Sequence, residues 1–167
     1  MRLQQEEMHG GRYVRYTCRF EIAIANDEEF RIVRRLRGAN GCNMIRIKEM
    51  CGGENEHAVK RSLETTKLFL RGKGSGFREG PMQVESQEPL SINVQSRFYD
   101  KYRVACDLVQ ELILNVYEEY KVFCAKFQRK PANDFDMMVK KEETASRPEP
   151  VPELPPNIFE GGIVPNM

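Results

Sequence analysis

The stretch Ile32 to Ile45, IVRRLRGANGCNMI, decides the fold. Gly38 and Gly41 stand three apart, behind a basic run and ahead of an apolar one. Phe30, Val33 and Leu36 fall at i, i+3 and i+6, which is one face of a helix. Asn26 and Asp27 offer a cap for it, and Glu28 and Glu29 suit its first turn. Gly38 ends it, because a residue without Cβ takes the left-handed conformations that close a helix. After Gly41, Met44, Ile45 and Lys48 lie one turn apart, so CNMIRIKEM reads as a second short helix, stopped by Gly52-Gly53. A Gly-x-x-Gly turn between two helices turns backbone N–H groups outward at the start of the second, an arrangement that suits a phosphate.

Working outward, TCRFEIAIAN alternates: Phe20, Ile22 and Ile24 point one way, Arg19 and Glu21 the other, as in a half-buried strand. Downstream, ENEHAVKRSLETT is polar and reads as a loop with at most a helical turn, and His57 sits in it. KLFLRG is a strand, with Leu68 and Leu70 on one face and Lys67, Phe69 and Arg71 on the other. The long connection GKGSGFREGPMQVESQEP follows, rich in Gly, Pro and charge. LSINVQS is a third strand. From about Tyr99 to Phe127 an apolar stripe (Tyr102, Cys106, Val109, Ile113, Val116, Tyr120, Phe123) keeps helical spacing over many turns. Three strands with one face to bury and three striped helices make a two-layer α+β domain.

The chain has 167 residues, enough for one domain and tails. Residues 1–12 are polar and are expected to be disordered, 13–128 to form the domain, and 129–167 to be a Pro-rich disordered tail. From Pro148 onward six of the twenty residues are proline, a composition that cannot bury a core. Net charge is +1 overall, yet Phe30 to Gly80 carries 12 basic residues against five acids, and that asymmetry suits an anionic partner. The five cysteines are odd in number and form no CxxC pair, so reduced, mostly buried thiols in an intracellular protein of nucleus or cytoplasm are expected. With only His9 and His57 and no ligands clustered at short spacing, no metal site and no cofactor are expected. No apolar run reaches the ~18 residues of a membrane span, and no membrane partner is expected. No nucleophile with a base is visible, so an enzyme is not expected. Gly72-Lys73-Gly74-Ser75-Gly76 matches no nucleotide-loop pattern and precedes no helix.

The run from Ile32 to Ile45 resembles the signature of the K-homology (KH) domain: an apolar helix, Gly-x-x-Gly, two residues, then an apolar anchor, here Met44. Lys67 to Gly76, KLFLRGKGSG, is similar to the strand and basic turn of KH domains of the splicing-factor-1 and quaking kind. The resemblance spans about Tyr16 to Phe127. It implies a type I fold, a three-stranded antiparallel sheet on three helices in the order β-α-α-β-β-α, with a long C-terminal helix. It also implies a groove for about four nucleotides of single-stranded RNA or DNA. Carried over, Gly38, Ala39, Asn40 and Gly41 clamp the backbone, and Arg35, Arg37 and Arg46 neutralise phosphates. Met44, Ile45, Leu68 and Leu70 offer apolar surface to bases, and Arg71 and Lys73 reach base edges or phosphate. Each of those apolar residues taken alone is more often core. The sequence departs from the pattern at Ala39-Asn40, where a basic residue is usual, and at Arg37, where an apolar one is. The implied role is single-stranded RNA binding in RNA processing or post-transcriptional regulation. The rival is a KH-like protein-interaction module or scaffold. In it, the distal turns of the last helix, with Tyr117, Tyr120 and Phe123, pack a protein partner or a second copy, or else cover the segment RYVRY.

Overall fold

Alternation in β1 (Arg12–Glu21) sets the architecture. Val14, Cys18 and Phe20 are buried, Ile22 and Ile24 extend the same set past the strand, and Arg15, Thr17, Arg19 and Glu21 face the other way. The structure, a computed structural model, describes residues 12–24, 28–52, 56–129 and 139–148. β5 (Ser91–Ser96) pairs antiparallel with β1, from Tyr16 opposite Ser96 to Glu21 opposite Ser91. β2 (Thr66–Arg71) pairs antiparallel with the other edge of β5, from Thr66 opposite Ser96 to Arg71 opposite Ser91. This register puts Cys18, Val94 and Leu68 in one row and Phe20, Ile92 and Leu70 in the next, all on the helix-covered face.

Helices α1 (Ile32–Arg37), α2 (Cys42–Gly52) and α4 (Tyr99–Lys126) cover that face. The expected β-α-α-β-β-α order and the long last helix are therefore present. Val109 and Ile113 of α4 share the core with Phe20 and Ile92, all with no exposure at all; truncating a side chain so placed costs about 2–5 kcal/mol. The α4 stripe also takes in Tyr117 and Cys124. Tyr117 Oη accepts the Ala23 N–H at 3.4 Å, and burial pushes its hydroxyl pKa up despite that bond.

Besides α1, which begins only at Ile32 after a left-handed Arg31 and not in the Glu28-Glu29 turn, three features depart from the expected outline. Residues Glu56–Thr65 form α3, packed on α2, where a loop was expected. The segment holds neither Gly nor Pro and is made largely of good helix formers, so a weak apolar pattern suffices once α2 offers a surface. The connection after β2 carries a two-residue ladder, β3 (Arg78–Glu79) with β4 (Val84–Glu85).

The third departure is β6 (Val139–Pro148), which pairs antiparallel with β1 along its whole length and extends the sheet to the order β2-β5-β1-β6. These residues were expected in a disordered tail. VKKEETASRP has no apolar alternation, so its strand rests on the ladder that the open edge of β1 offers. Tyr102 Oη adds a bond by donating to Glu142 Oε1 at 2.8 Å, and Lys141 Nζ reaches Glu21 Oε1 at 3.0 Å. Burial, and then the Glu142 carboxylate, push the Tyr102 hydroxyl up, which keeps it a donor. The expected disorder of residues 1–11 and of the Pro-rich end, 149–167, lies outside the described residues.

Candidate functional site

Steric demand fixes the Gly38–Gly41 turn. α1 stops at Gly38, which takes φ 77 and ψ 169. A Cβ there would stand 2.6 Å from Cys42 Sγ and 2.9 Å from Asn43 Cγ. Asn40 follows in the left-handed region, which asparagine tolerates better than most, and Gly41 takes φ 74. The Gly41 N–H closes the turn on the Gly38 carbonyl at 3.2 Å. Asn43 pins it from below: Nδ2 donates to the carbonyls of Arg35 (3.0 Å) and Leu36 (3.3 Å), which the end of α1 leaves open. The loop side chains, Ala39 and Asn40, are exposed.

A cleft of about 640 Å³ lies against this turn, lined by Glu28, Val33, three arginines (Arg31, Arg34, Arg37) and Gly38 to Gly41. Arg34 and Arg37 stand one turn apart on α1, and Arg31, the left-handed residue just before the helix, lines the same cleft. Three basic residues and one acidic residue line it. Arg31 Nε donates to the Glu28 carbonyl at 2.9 Å, while the Arg34 side chain makes no hydrogen bond or ion pair among the described residues. Arg37 Nη2 donates to the Ser75 carbonyl at 2.9 Å and ties the turn to the loop after β2. A carbonyl leaves the charge of Arg37 uncancelled. Of these three arginines Arg37 is the one that the sequence marks; helical spacing from it reaches Arg34, whereas the left-handed Arg31 follows no helical pattern.

The remaining candidates scatter. Arg35 points away from the cleft: Nη1 pairs with Glu119 Oε2 at 2.6 Å, Nε donates to the Phe30 carbonyl, and the guanidinium lies 4.4 Å from the Phe30 ring centroid. It ties α1 to α4. Arg46 is exposed but lines a different groove, between α2 and α4, with Met50 and Glu111. Met44 is buried in the core and Ile45 is 48% exposed beside it. Leu68 and Leu70 are 7% and 5% exposed and face the helices, so the apolar platform assigned to them is spent on the core. The β2 side chains that reach the surface are Lys67, Phe69 and Arg71, with Phe69 packed against Phe77 at 5.7 Å between ring centroids.

The loop after β2 is closed on its own acids. Arg71 makes a bidentate pair with Glu79, both contacts at 2.8 Å, and adds Glu88 at 3.1 Å. The hydrogen bonds raise the Arg71 pKa and hold the Glu79 carboxyl below its usual range. Glu85 fills the glycine turn itself, accepting the Gly74 N–H at 2.6 Å and the Gly76 N–H at 2.8 Å, and these two bonds lower its pKa. Gly72 is required, because at φ 100 a Cβ would meet the Pro89 carbonyl oxygen at 2.4 Å. Lys73 stays exposed, and its backbone N–H donates to the Glu88 carbonyl.

The distal turns of α4, the surface that the protein-interaction reading needs, are largely occupied within the chain. Tyr120 packs edge-on against Phe30 at 4.8 Å, Phe123 lies 5.2 Å from the same ring, and Tyr117 is 2% exposed. The segment RYVRY instead meets the opposite end of the helix, where Tyr16 stacks on Tyr102 and meets Tyr99 edge-on.

A family model described as KHDC4/BBP-like, KH-domain type I, matches residues 26–114, a span that covers both glycine turns and the first half of α4. No curated protein matches the chain.

Proposed function

We propose that this chain, which belongs to the KHDC4/BBP-like family of type I KH domains, a kind of domain that generally binds RNA and is not enzymatic, binds single-stranded RNA, with the phosphate backbone seated on the Gly38–Gly41 turn and in the Arg31–Arg34–Arg37 cleft. The observation that carries this reading is the cleft itself. It joins a turn without bulky side chains to three arginines with one acid among them. The uncharged Ala39-Asn40 pair leaves attraction to those arginines. Contacts to the sugar-phosphate chain position the strand but do not read its sequence. Ile45 and Lys73, two further carried-over residues with exposed side chains, contact the bases or the neighbouring phosphate. The setting is RNA processing or post-transcriptional regulation in the nucleus or cytoplasm.

The test replaces Ala39 and Asn40, both exposed, with aspartate. Binding to a random single-stranded RNA pool is read by fluorescence anisotropy at two salt concentrations, with circular dichroism as the check on folding. The double variant is expected to bind at least tenfold more weakly. Equal binding by a folded variant would remove the turn from the interface.

A further inference from the structure

Two buried thiols and a carboxylate from three distant parts of the chain converge under the C-terminal strand. Cys18 of β1 and Cys106 of α4 are each 1% exposed, and Glu142 of β6 sits opposite Cys18 in the ladder. The two Sγ atoms and a Glu142 carboxylate oxygen all lie within 4.8 Å of one another. Tyr102 donates its hydroxyl proton to Glu142 Oε1 at 2.8 Å and so fixes the direction of that carboxylate.

We infer that Cys18, Cys106 and Glu142 form a site for a thiolate-preferring divalent cation of the zinc class, which pins β6 to the core of the domain. Zinc takes Cys sulfur at about 2.3 Å and carboxylate oxygen at about 2.0–2.2 Å, so a tetrahedral ion needs its ligand atoms roughly 3.5–3.8 Å apart. The three groups are therefore within about 1 Å of a ligating arrangement, on side chains with rotamer freedom. Two sulfurs select against magnesium and calcium, which take oxygen ligands. Binding releases the two thiol protons to solvent, and the bound ion faces two thiolates and one carboxylate, with water at the fourth position. The hydrogen bond from Tyr102 orients the ligating carboxylate, as partners of metal ligands commonly do. The ligands belong to β1, α4 and β6, so the ion ties the outermost strand to both layers, and docking of residues 139–148 becomes metal-dependent.

The test uses the full chain, reduced and freed of metal, titrated with Co²⁺ and then with Zn²⁺. One equivalent of Co²⁺ is expected to give a thiolate-to-cobalt absorption band, which Zn²⁺ displaces. Glu142→Gln, at an exposed position, is expected to weaken Zn²⁺ at least tenfold while leaving the fold intact. Cys106→Ser is expected to remove most of the band, whereas Cys42→Ser, at the exposed cysteine beside the glycine turn, is expected to leave it. Absence of the band in the unsubstituted chain, its loss in Cys42→Ser, or equal Zn²⁺ affinity in the chain and Glu142→Gln overturns the assignment. If Cys106→Ser does not fold, Glu142→Gln decides.

Discussion

Gly38–Gly41 and Gly72–Gly76 are both short glycine turns preceded by an arginine, and both hold residues at positive φ. In the first, Arg34 is uncommitted and the loop side chains are exposed. In the second, Glu85 accepts the Gly74 and Gly76 N–H groups, and Arg71 is shared between Glu79 and Glu88. Composition does not separate the two. What does is the supply of acids: three glutamates follow the second turn within the same connection and fold back onto it, whereas the first runs directly into a helix. A glycine turn with its N–H groups already paired is a scaffold element. One with cations unspent is a place for an anion.

The largest expected effect falls on the scaffold turn. Gly72→Ala forces a Cβ against the Glu88 and Pro89 carbonyls at a φ that alanine resists, and is expected to cost about 3 kcal/mol. Gly41→Ala shares the positive φ but meets nothing within 4 Å, so about 1 kcal/mol is expected. Urea unfolding of the two variants measures the gap, and equal losses would erase the distinction drawn from steric crowding.

Glu85→Gln comes next, at about 1–2 kcal/mol, because a charged acceptor is lost from two backbone donors. Its pH dependence follows from the sign of the shift. The folded-state pKa lies below the ordinary value of 4.5, so the carboxylate stabilises the fold above that value. The contribution fades as pH falls through the lower folded-state pKa. The stability gap between the chain and Glu85→Gln should therefore be constant near neutrality and should shrink below about pH 4.5; a gap that grew on acidification would contradict the pairing.

The smallest effect belongs to the open turn. Arg34→Ala is expected to leave stability unchanged and to weaken single-stranded RNA binding about threefold. It is also expected to reduce the log–log salt slope by about 0.7, the share of one phosphate contact on a single strand. Titrations at several salt concentrations read this directly, and an unaltered slope would move the contact elsewhere.

Much of the fold was legible because its signals are periodic and long. The α4 stripe repeats through 28 residues, and alternation marks β1, β2 and β5. What stayed hidden depends on partners distant in sequence. β6 is polar and has no pattern of its own, so only the open edge of β1 calls it into the sheet. The alternation in β2 divides Leu68 and Leu70 from Lys67, Phe69 and Arg71 but does not say which set meets the helices. Arg35 and Arg37 look equivalent in sequence, yet a helix sends side chains two apart to different faces, one to Glu119 and the other to Ser75. Cys18, Cys106 and Glu142 escape any search by short ligand spacing, because tertiary pairing alone gathers them.

The most direct measurement follows backbone amide resonances while single-stranded RNA is titrated into the full chain. The amides of Gly38 to Asn43 should move, and those of Gly74 and Gly76, held by Glu85, should stay in place. Movement centred on Gly74 and Gly76, with Gly38 to Asn43 unmoved, would contradict the account.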